Sequence, residues 1–515
     1  MSRIIFLSIV AASFVVRSFY SLHMLQLEEY SEKKFLKWIF SHLDRYFSNI
    51  FFLISIVFYF LNPIYAIPFG LFSLYLDIRK FILRKKKKPL VYTKRLKRLL
   101  ISSYVIFIIF LTEVFIYNTV FLDIATFSLV LFNSLYFWFI NGLLIPLEKL
   151  INNYYYKDAV RKYKSLKPLT ISVTGSYGKT STKYYIYHLI SEHFNTLMTP
   201  ESYNTTMGIT RSIREKLDKS HDVFVVELAE NDSYGFDKLL NLVQPEVSVL
   251  TSIGIQHFEE FNEMDKIIEN FKNYLEDERS GKLLIVNFDD ENIKNVIKEI
   301  KNKEVVTCGI ENEGADYIAK NINMNLEGTK FTLFTPNKIS FEIETNVFGI
   351  ENIRNLLIAI VTAFEIKVPV EEVLERVKNI QKPKHRLEII RNDSITVIDD
   401  TFNSNPKGFK MALEYLDLFN GRRKIVVTPG FVELGEKEEE EHYKIGKLLS
   451  KHVDFIFLVG KDRTKAIKKG LLDGGFPKEK IFVVESLDVV SEIFKKFLKP
   501  GDVVLFENDL PDIYI

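Results

Sequence analysis

Two kinds of hydrophobic pattern meet near residue 150. Before it, apolar residues run in long uncharged blocks: Tyr46–Leu76 holds no charge over 31 residues and Ile124–Leu147 none over 24. Each exceeds the roughly 20 helical residues that cross a hydrocarbon core. Leu99–Leu122 is interrupted only by Glu113, and Ile4–Leu27 by Arg17, so both read as further spans, with Glu113 an ionisable group of open role. Pro63 and Pro68 let the Tyr46–Leu76 block cross once at a tilt or twice as short helices, so four or five spans are expected. No clear small-residue cleavage site follows residues 1–20, so the first segment reads as an anchor.

From Pro168 short apolar runs alternate with helical stretches: "LTISVTG", "VFVVELA", "VSVLTSIG", "LLIVNF" and "VVTCG". A second series follows Lys382, with "SITVIDD", "KIVVTPG", "DFIFLVG", "KIFVVES" and "DVVLFEN". Buried parallel strands in α/β units make this pattern. The predicted organisation is a transmembrane helical region (1–150), a linker helix (151–167), a central α/β domain (168–381) and a C-terminal α/β domain (382–515).

Charge refines this. The chain has 68 Lys and Arg against 66 Asp and Glu, a balance that excludes the basic footprint of a nucleic-acid binder. Eleven Lys or Arg and no acid lie between Arg79 and Arg98. Basic residues beside spans resist translocation. That loop is therefore expected in the cytoplasm, and two further crossings return everything after Pro146 to the same side of a cell membrane. Leu147–Lys167, rich in Tyr and Lys, reads as a helix at the headgroups or a solvated linker. The single cysteine, Cys308, rules out an internal disulfide and reads as a small buried hydrophobe.

The chemistry concentrates in "SVTGSYGKTST", which joins an apolar strand to a helical pattern. A glycine-rich turn at a helix N-terminus aims backbone N–H groups at an anion, with Lys179 as a phosphate contact and Thr180 as a Mg²⁺ ligand. The general G-x-x-x-x-G-K-[ST] spacing would need glycine at Val173, so the generic pattern fails while Gly178-Lys179-Thr180 fits.

The variant spelling "TGSYGKTST" resembles the nucleotide loop of Mur ligases, and further stretches match that family in order. These are "TPESYNTTMGI" (199–209), "VVELAEN" (225–231), "TSIGIQHFEEF" (251–261), "FGIENIRNLLIAI" (348–360), "KHRLEII" (384–390) and "IDDTFNSNP" (398–406). The last is similar to a motif of the D-alanyl-D-alanine-adding branch. The resemblance covers about residues 168–515. It implies an ATP-binding central domain and a Rossmann-like C-terminal domain, with ATP and Mg²⁺ as cofactors. On it, Gly175, Ser176, Gly178, Lys179, Thr180 and Ser181 hold phosphates, and Thr180, Glu227 and His257 hold metal. Asn352, Arg386 and Asp400 hold the rest of the nucleotide, and Asn204, Thr205, Asn403 and Asn405 the substrates. Lys179, His257 and Lys272 would be catalytic. Lys272 stands where the family carries a carbamylated, metal-bridging lysine; Phe271 occupies the alternative spacing, and Glu351 replaces the family's histidine.

The resemblance implies ATP-dependent amide ligation through an acyl phosphate. Apolar helices stand where the family grips UDP, so the expected substrate is a small-molecule or lipid-linked cell-wall precursor, joined to an amino acid or dipeptide by a membrane-anchored ligase. Other readings are a membrane-bound P-loop ATPase or transporter subunit without ligase chemistry, or a degenerate wall-synthesis scaffold, which the intact Gly178-Lys179-Thr180 disfavours.

Overall fold

The computed structural model describes residues 1–43, 50–83, 89–117, 119–201, 203–229, 236–254, 264–381, 383–391, 394–401, 405–432 and 437–509. They divide into two units, Met1–Asn153 and Tyr154–Asp509.

The first unit is helical, and its two longest uncharged blocks are both broken. The described part of Tyr46–Leu76 is not one continuous helix. It turns at Asn62 between helices Ile50–Leu61 and Pro63–Asp77, where the Asn62 side chain accepts from the Ile64 amide and Pro63 opens the second helix. The rings of Phe58 and Phe69 (4.9 Å) and of Phe51 and Phe72 (4.7 Å) pair across the turn, which makes the two helices an antiparallel hairpin. Ile124–Leu147 is interrupted at Phe132, which ends helix Val120–Leu131. Three described helices are long and apolar enough to cross a membrane: Ser2–Leu27, Lys94–Tyr117 and Asn133–Leu166. The expected linker at 151–167 is no separate element; it continues Asn133–Leu166 past Pro146. Buried charges in this unit are paired, as burial demands: Arg17 with Asp77 at 2.8 Å, and Glu148 with the half-buried Arg98 through two hydrogen bonds.

The second unit holds two sheets. The first contains β1 (Leu169–Thr174), β2 (Thr196–Met198), β3 (Val223–Glu227), β4 (Val247–Leu250), β5 (Leu283–Asn287), β6 (Glu304–Gly309), β7 (Tyr317–Asn325), β8 (Gly328–Phe334) and β9 (Ser340–Thr345), in the order β2-β3-β1-β4-β5-β6-β7-β8-β9. Pairing is parallel from β2 through β7 and antiparallel in β7-β8-β9. Side chains alternate between faces. Ile171, Val173, Val223, Val225, Val247 and Val249 pack with helices Lys179–Ile190 and Ile350–Glu365, while Phe224, Val226, Leu250 and Val286 pack with Ile209, Phe271 and Tyr274. Each such large apolar side chain contributes about 1.5–3 kcal/mol. Because β1 lies between β3 and β4, the strand order reverses there, opening a crevice at the carboxyl ends of these strands.

The second sheet has β10 (Glu388–Arg391), β11 (Thr396–Asp400), β12 (Lys424–Thr428), β13 (Phe455–Val459), β14 (Ile481–Val484) and β15 (Val503–Glu507), ordered β10-β11-β15-β12-β13-β14 and parallel except for β10. The β11–β15 register sets Asp400 opposite Glu507 at their carboxyl ends.

Candidate active site

The glycine-rich loop fills the crevice beyond β1. Gly175 (φ 133°) and Gly178 (φ 82°) adopt backbone that L side chains avoid. A Cβ would also strike Thr251 and Ser252 at the first position and the Asn355 amide at the second. The turn is held from the segment that follows β4: Ser176 N donates to Ser252 O (2.8 Å), Tyr177 N to Ser252 Oγ (2.8 Å), and Gly254 N to Ser176 Oγ (2.8 Å). Two loop amides are thus committed within the protein rather than aimed at an anion, leaving that role to the opening amides of helix Lys179–Ile190. Lys179 Nζ donates back to Gly175 O (2.6 Å) and Ser176 O (3.1 Å), so it must turn outward to meet a phosphate.

Glu227 ends β3 beside this helix and gathers polar groups. Thr180 Oγ1 lies 3.2 and 3.1 Å from its two carboxylate oxygens, and Asn204 Nδ2 donates to Oε1 at 3.0 Å. Lys183 Nζ is 3.1 Å from Oε2 and also donates to Glu201 O. Burial pulls the Lys183 ammonium below its ordinary value, against the Glu227 charge. A hydroxyl and a carboxylate this close are hard oxygen donors and fit Mg²⁺.

The C-terminal domain contributes Arg386 and Asp400. Ser181, Tyr185, Phe348, Asn352, Pro383, Arg386 and Leu387 line one cavity, which brings three of the expected nucleotide residues together. Asn352 Nδ2 donates to Phe348 O (3.0 Å). Asp400 Oδ1 accepts from Leu387 N (3.1 Å); burial lifts its carboxyl to about 6 against the pull of the Arg386 guanidinium. Outside Arg386, His385 Nδ1 meets Asp399 Oδ2 at 2.8 Å and His385 N donates to Glu388; His385 is exposed and the two carboxylates half-buried, and their bonds fix the turn carrying the arginine.

Other expected residues stand elsewhere or do other work. His257 and Asn403 lie outside the described residues. Thr205 caps helix Thr206–Glu215 by accepting from Gly208 N, and Asn405 caps helix Pro406–Asp417 by accepting from Lys407 N and Gly408 N. Lys272 is not drawn to the Glu227 group. The apolar face of helix Met264–Glu276 is set by Ile267, Phe271, Tyr274 and Leu275, which turns the neighbouring Lys272 outward onto Glu299 and Glu276. A cation held there by two carboxylates does not support the bridging role expected of it.

Lys183 is the residue that sequence reasoning passed over. It stands three positions after Thr180, and i, i+3 residues share a helix face. That spacing was the available signal, because whatever Thr180 reaches, Lys183 can reach too.

Residues 173–363 match the Mur ligase middle domain and residues 385–507 the Mur ligase, glutamate ligase domain. The UDP-N-acetylmuramoyl-tripeptide--D-alanyl-D-alanine ligase of Buchnera aphidicola subsp. Acyrthosiphon pisum is 28% identical over 310 residues, 59% of this chain and 67% of that one. The Bacillus subtilis protein of the same name is 26% identical over 341 residues, 65% and 72% of the two chains. The chain spans about two thirds of the length of the first of these curated relatives. MurF from Acinetobacter baumannii has the same fold at a TM-score of 0.62 and 25% identity, over 70% of this chain and 78% of that one. The two matched domains coincide with the two sheets whose strand ends carry Glu227 and Asp400, and the chain belongs to the Mur ligase family of ATP-dependent carbon–nitrogen ligases.

Proposed function

We propose that the chain is a membrane-anchored ligase that joins a cell-wall-type carboxylate to the amine of an amino acid or dipeptide. The convergence of Thr180, Asn204 and Lys183 on Glu227, beside a cavity that includes Arg386 of the second domain, carries this reading.

A carboxylate and a triphosphate repel, so their encounter needs fixed cations and donors. Thr180 and Glu227 would hold Mg²⁺, which supplies charge neutralisation between the two anions; His257 is the candidate for a second ion. Lys179, turned from the loop carbonyls, would contact the β- and γ-phosphates with the amides that open its helix. A substrate carboxylate oxygen then bonds to the γ-phosphorus as the bond to ADP breaks. The amine attacks the acyl carbon, phosphate leaves with that oxygen, and the amine releases a proton. Asn352, Arg386 and Asp400 would hold the nucleotide, and closure of the C-terminal domain would keep water from the acyl phosphate. Asn204, Thr205, Asn403 and Asn405 are the candidates for orienting substrates.

The helices Ser2–Leu27, Lys94–Tyr117 and Asn133–Leu166 support anchoring in a cell membrane, and the Arg79–Arg98 run supports a cytoplasmic active site. The carboxylate partner on this reading is a small-molecule or lipid-linked precursor; the names of the relatives favour D-alanyl-D-alanine as the first amine to try. Substrate carboxylate labelled with ¹⁸O tests the chemistry. Label recovered in phosphate supports the acyl phosphate, whereas amine-independent ADP release without label transfer favours a plain ATPase.

A further inference from the structure

A second polar site lies in the helical unit. Arg17, Tyr20, Ser21, Phe81, Leu131 and Asn133 line a small cavity with room for about one water-sized group. Asp77 is outside the lining: it accepts from Arg17 Nε at 2.8 Å, while Arg17 Nη1 donates to Val130 O at 3.3 Å. Arg17 is 6% exposed. Ser21 Oγ sits 2.8 Å from Asn133 Oδ1 and 2.7 Å from Ser134 Oγ. Two groups in the wall remain unmatched. The Tyr20 hydroxyl and Asn133 Nδ2 are buried, on residues 5% and 2% exposed, and have no hydrogen-bond partner among the described residues. Buried donors rarely stay unsatisfied.

Two irregularities of the backbone build this place. Phe81, stacked on Tyr20 at 4.6 Å, belongs to the π-helical turn Ile78–Ile82, and Leu131 and Asn133 flank the helix break at Phe132. π-turns often mark functional sites. The wall thus offers an amide N–H₂ and a hydroxyl beside the Arg17 guanidinium, whose charge is already met by Asp77, so the complementary guest is an oxygen acceptor. The π-turn also opens the Arg79–Arg98 basic run, whose charge draws anionic headgroups, and it exposes Ile78 and Ile82 beside Phe81.

We propose that this cavity receives a phosphate oxygen of a membrane lipid, with Tyr20 and Asn133 as the recognising donors and the Arg79–Arg98 run as the charge that draws the headgroup. The guest is a polyprenyl phosphate or an anionic glycerophospholipid, which share that chemistry. This rests on the membrane reading given above. Retention of the full chain in membranes after carbonate washing tests that reading separately; a protein that stays embedded yet binds no phosphate lipid overturns only the present inference.

The test measures binding of radiolabelled polyprenyl monophosphate, phosphatidylglycerol or inorganic phosphate to the full chain in maltoside micelles. Saturable binding of either lipid is expected, weakened about tenfold by Tyr20→Phe, as loss of a hydrogen bond to a charged group implies, and more strongly by Asn133→Asp, which sets a carboxylate against the phosphate; the lipid that binds identifies the source. Tyr20→Phe deletes an unmatched hydroxyl, so its thermal unfolding in lipid-free micelles should stay at or above the parent's. Equal lipid binding by the variants, no lipid binding, or binding of inorganic phosphate alone would overturn the proposal, with a single water then the natural guest.

Discussion

Lys183 Nζ lies 3.1 Å from Glu227 Oε2, and the two side chains are 0% and 1% exposed. This ion pair ties the helix after the glycine loop to the end of β3. Lys183→Met would leave a buried carboxylate held, among the described residues, by Thr180 and Asn204, a loss of about 3–5 kcal/mol, read as a lower urea midpoint. Adding Glu227→Gln should restore much of it, since the amide needs no cation. A midpoint unmoved by Lys183→Met contradicts the pairing.

Lys179→Ala touches only chemistry. Its ammonium bonds loop carbonyls at a partly buried site, so unfolding should shift by about 1 kcal/mol or less. Nucleotide turnover should fall at least ~100-fold. Turnover near the parental rate would remove the loop from the mechanism.

Strands with continuous apolar runs, such as "VFVVELA", which carries Glu227, and "DVVLFEN", which carries Glu507, were legible because burial on both faces leaves little polar interruption. β7, β8 and β9 were not, since a sheet with one solvated face alternates Asn, Lys and Thr with its apolar positions. Thr180 and Glu227 were legible from their neighbours in sequence. Lys183 was missed despite its spacing from Thr180, because its partner lies on β3, distant in sequence, and a lysine read alone is a surface residue. The break at Phe132 escaped hydropathy for a similar reason: an uncharged block reports apolarity, whereas helix continuity depends on local dihedrals and on Asn133 bonding to Ser21.

Phe271 and Lys272 make opposite predictions from adjacent positions. Phe271→Ala opens a cavity in the core that Phe236 and Tyr274 share, costing about 3–5 kcal/mol. Lys272→Ala removes an exposed contact with Glu299, and ligation measured at saturating substrates should stay within about twofold of the parent. A severe loss of ligation, rescued by short carboxylates, would reinstate a carbamylated Lys272.

His442 makes stability pH-dependent. Its Nε2 accepts from Phe431 N at 2.8 Å, and burial next to Arg463 lowers its pKa to about 4. Below the ordinary value of 6.5 the unfolded chain binds the proton and the native one does not. The contribution is therefore complete above pH 6.5 and lost as pH falls towards 4, by about 3 kcal/mol. Asp400, raised to about 6, acts with the opposite sign. Denaturation curves of His442→Gln and the parent isolate the histidine: their difference should change between pH 6.5 and 4, and a constant difference refutes the assignment.

Amide formation coupled to ATP cleavage is the central claim. The direct measurement incubates the full chain in detergent with ATP, Mg²⁺, a panel of cell-wall carboxylate precursors and D-alanyl-D-alanine or single amino acids, quantifying ADP and amide product together. One pairing should give ADP and amide in equal amounts, omission of the amine should suppress ADP, and Lys179→Ala should abolish both. ADP released at the same rate without any amine, and no amide from any pairing, would contradict the claim.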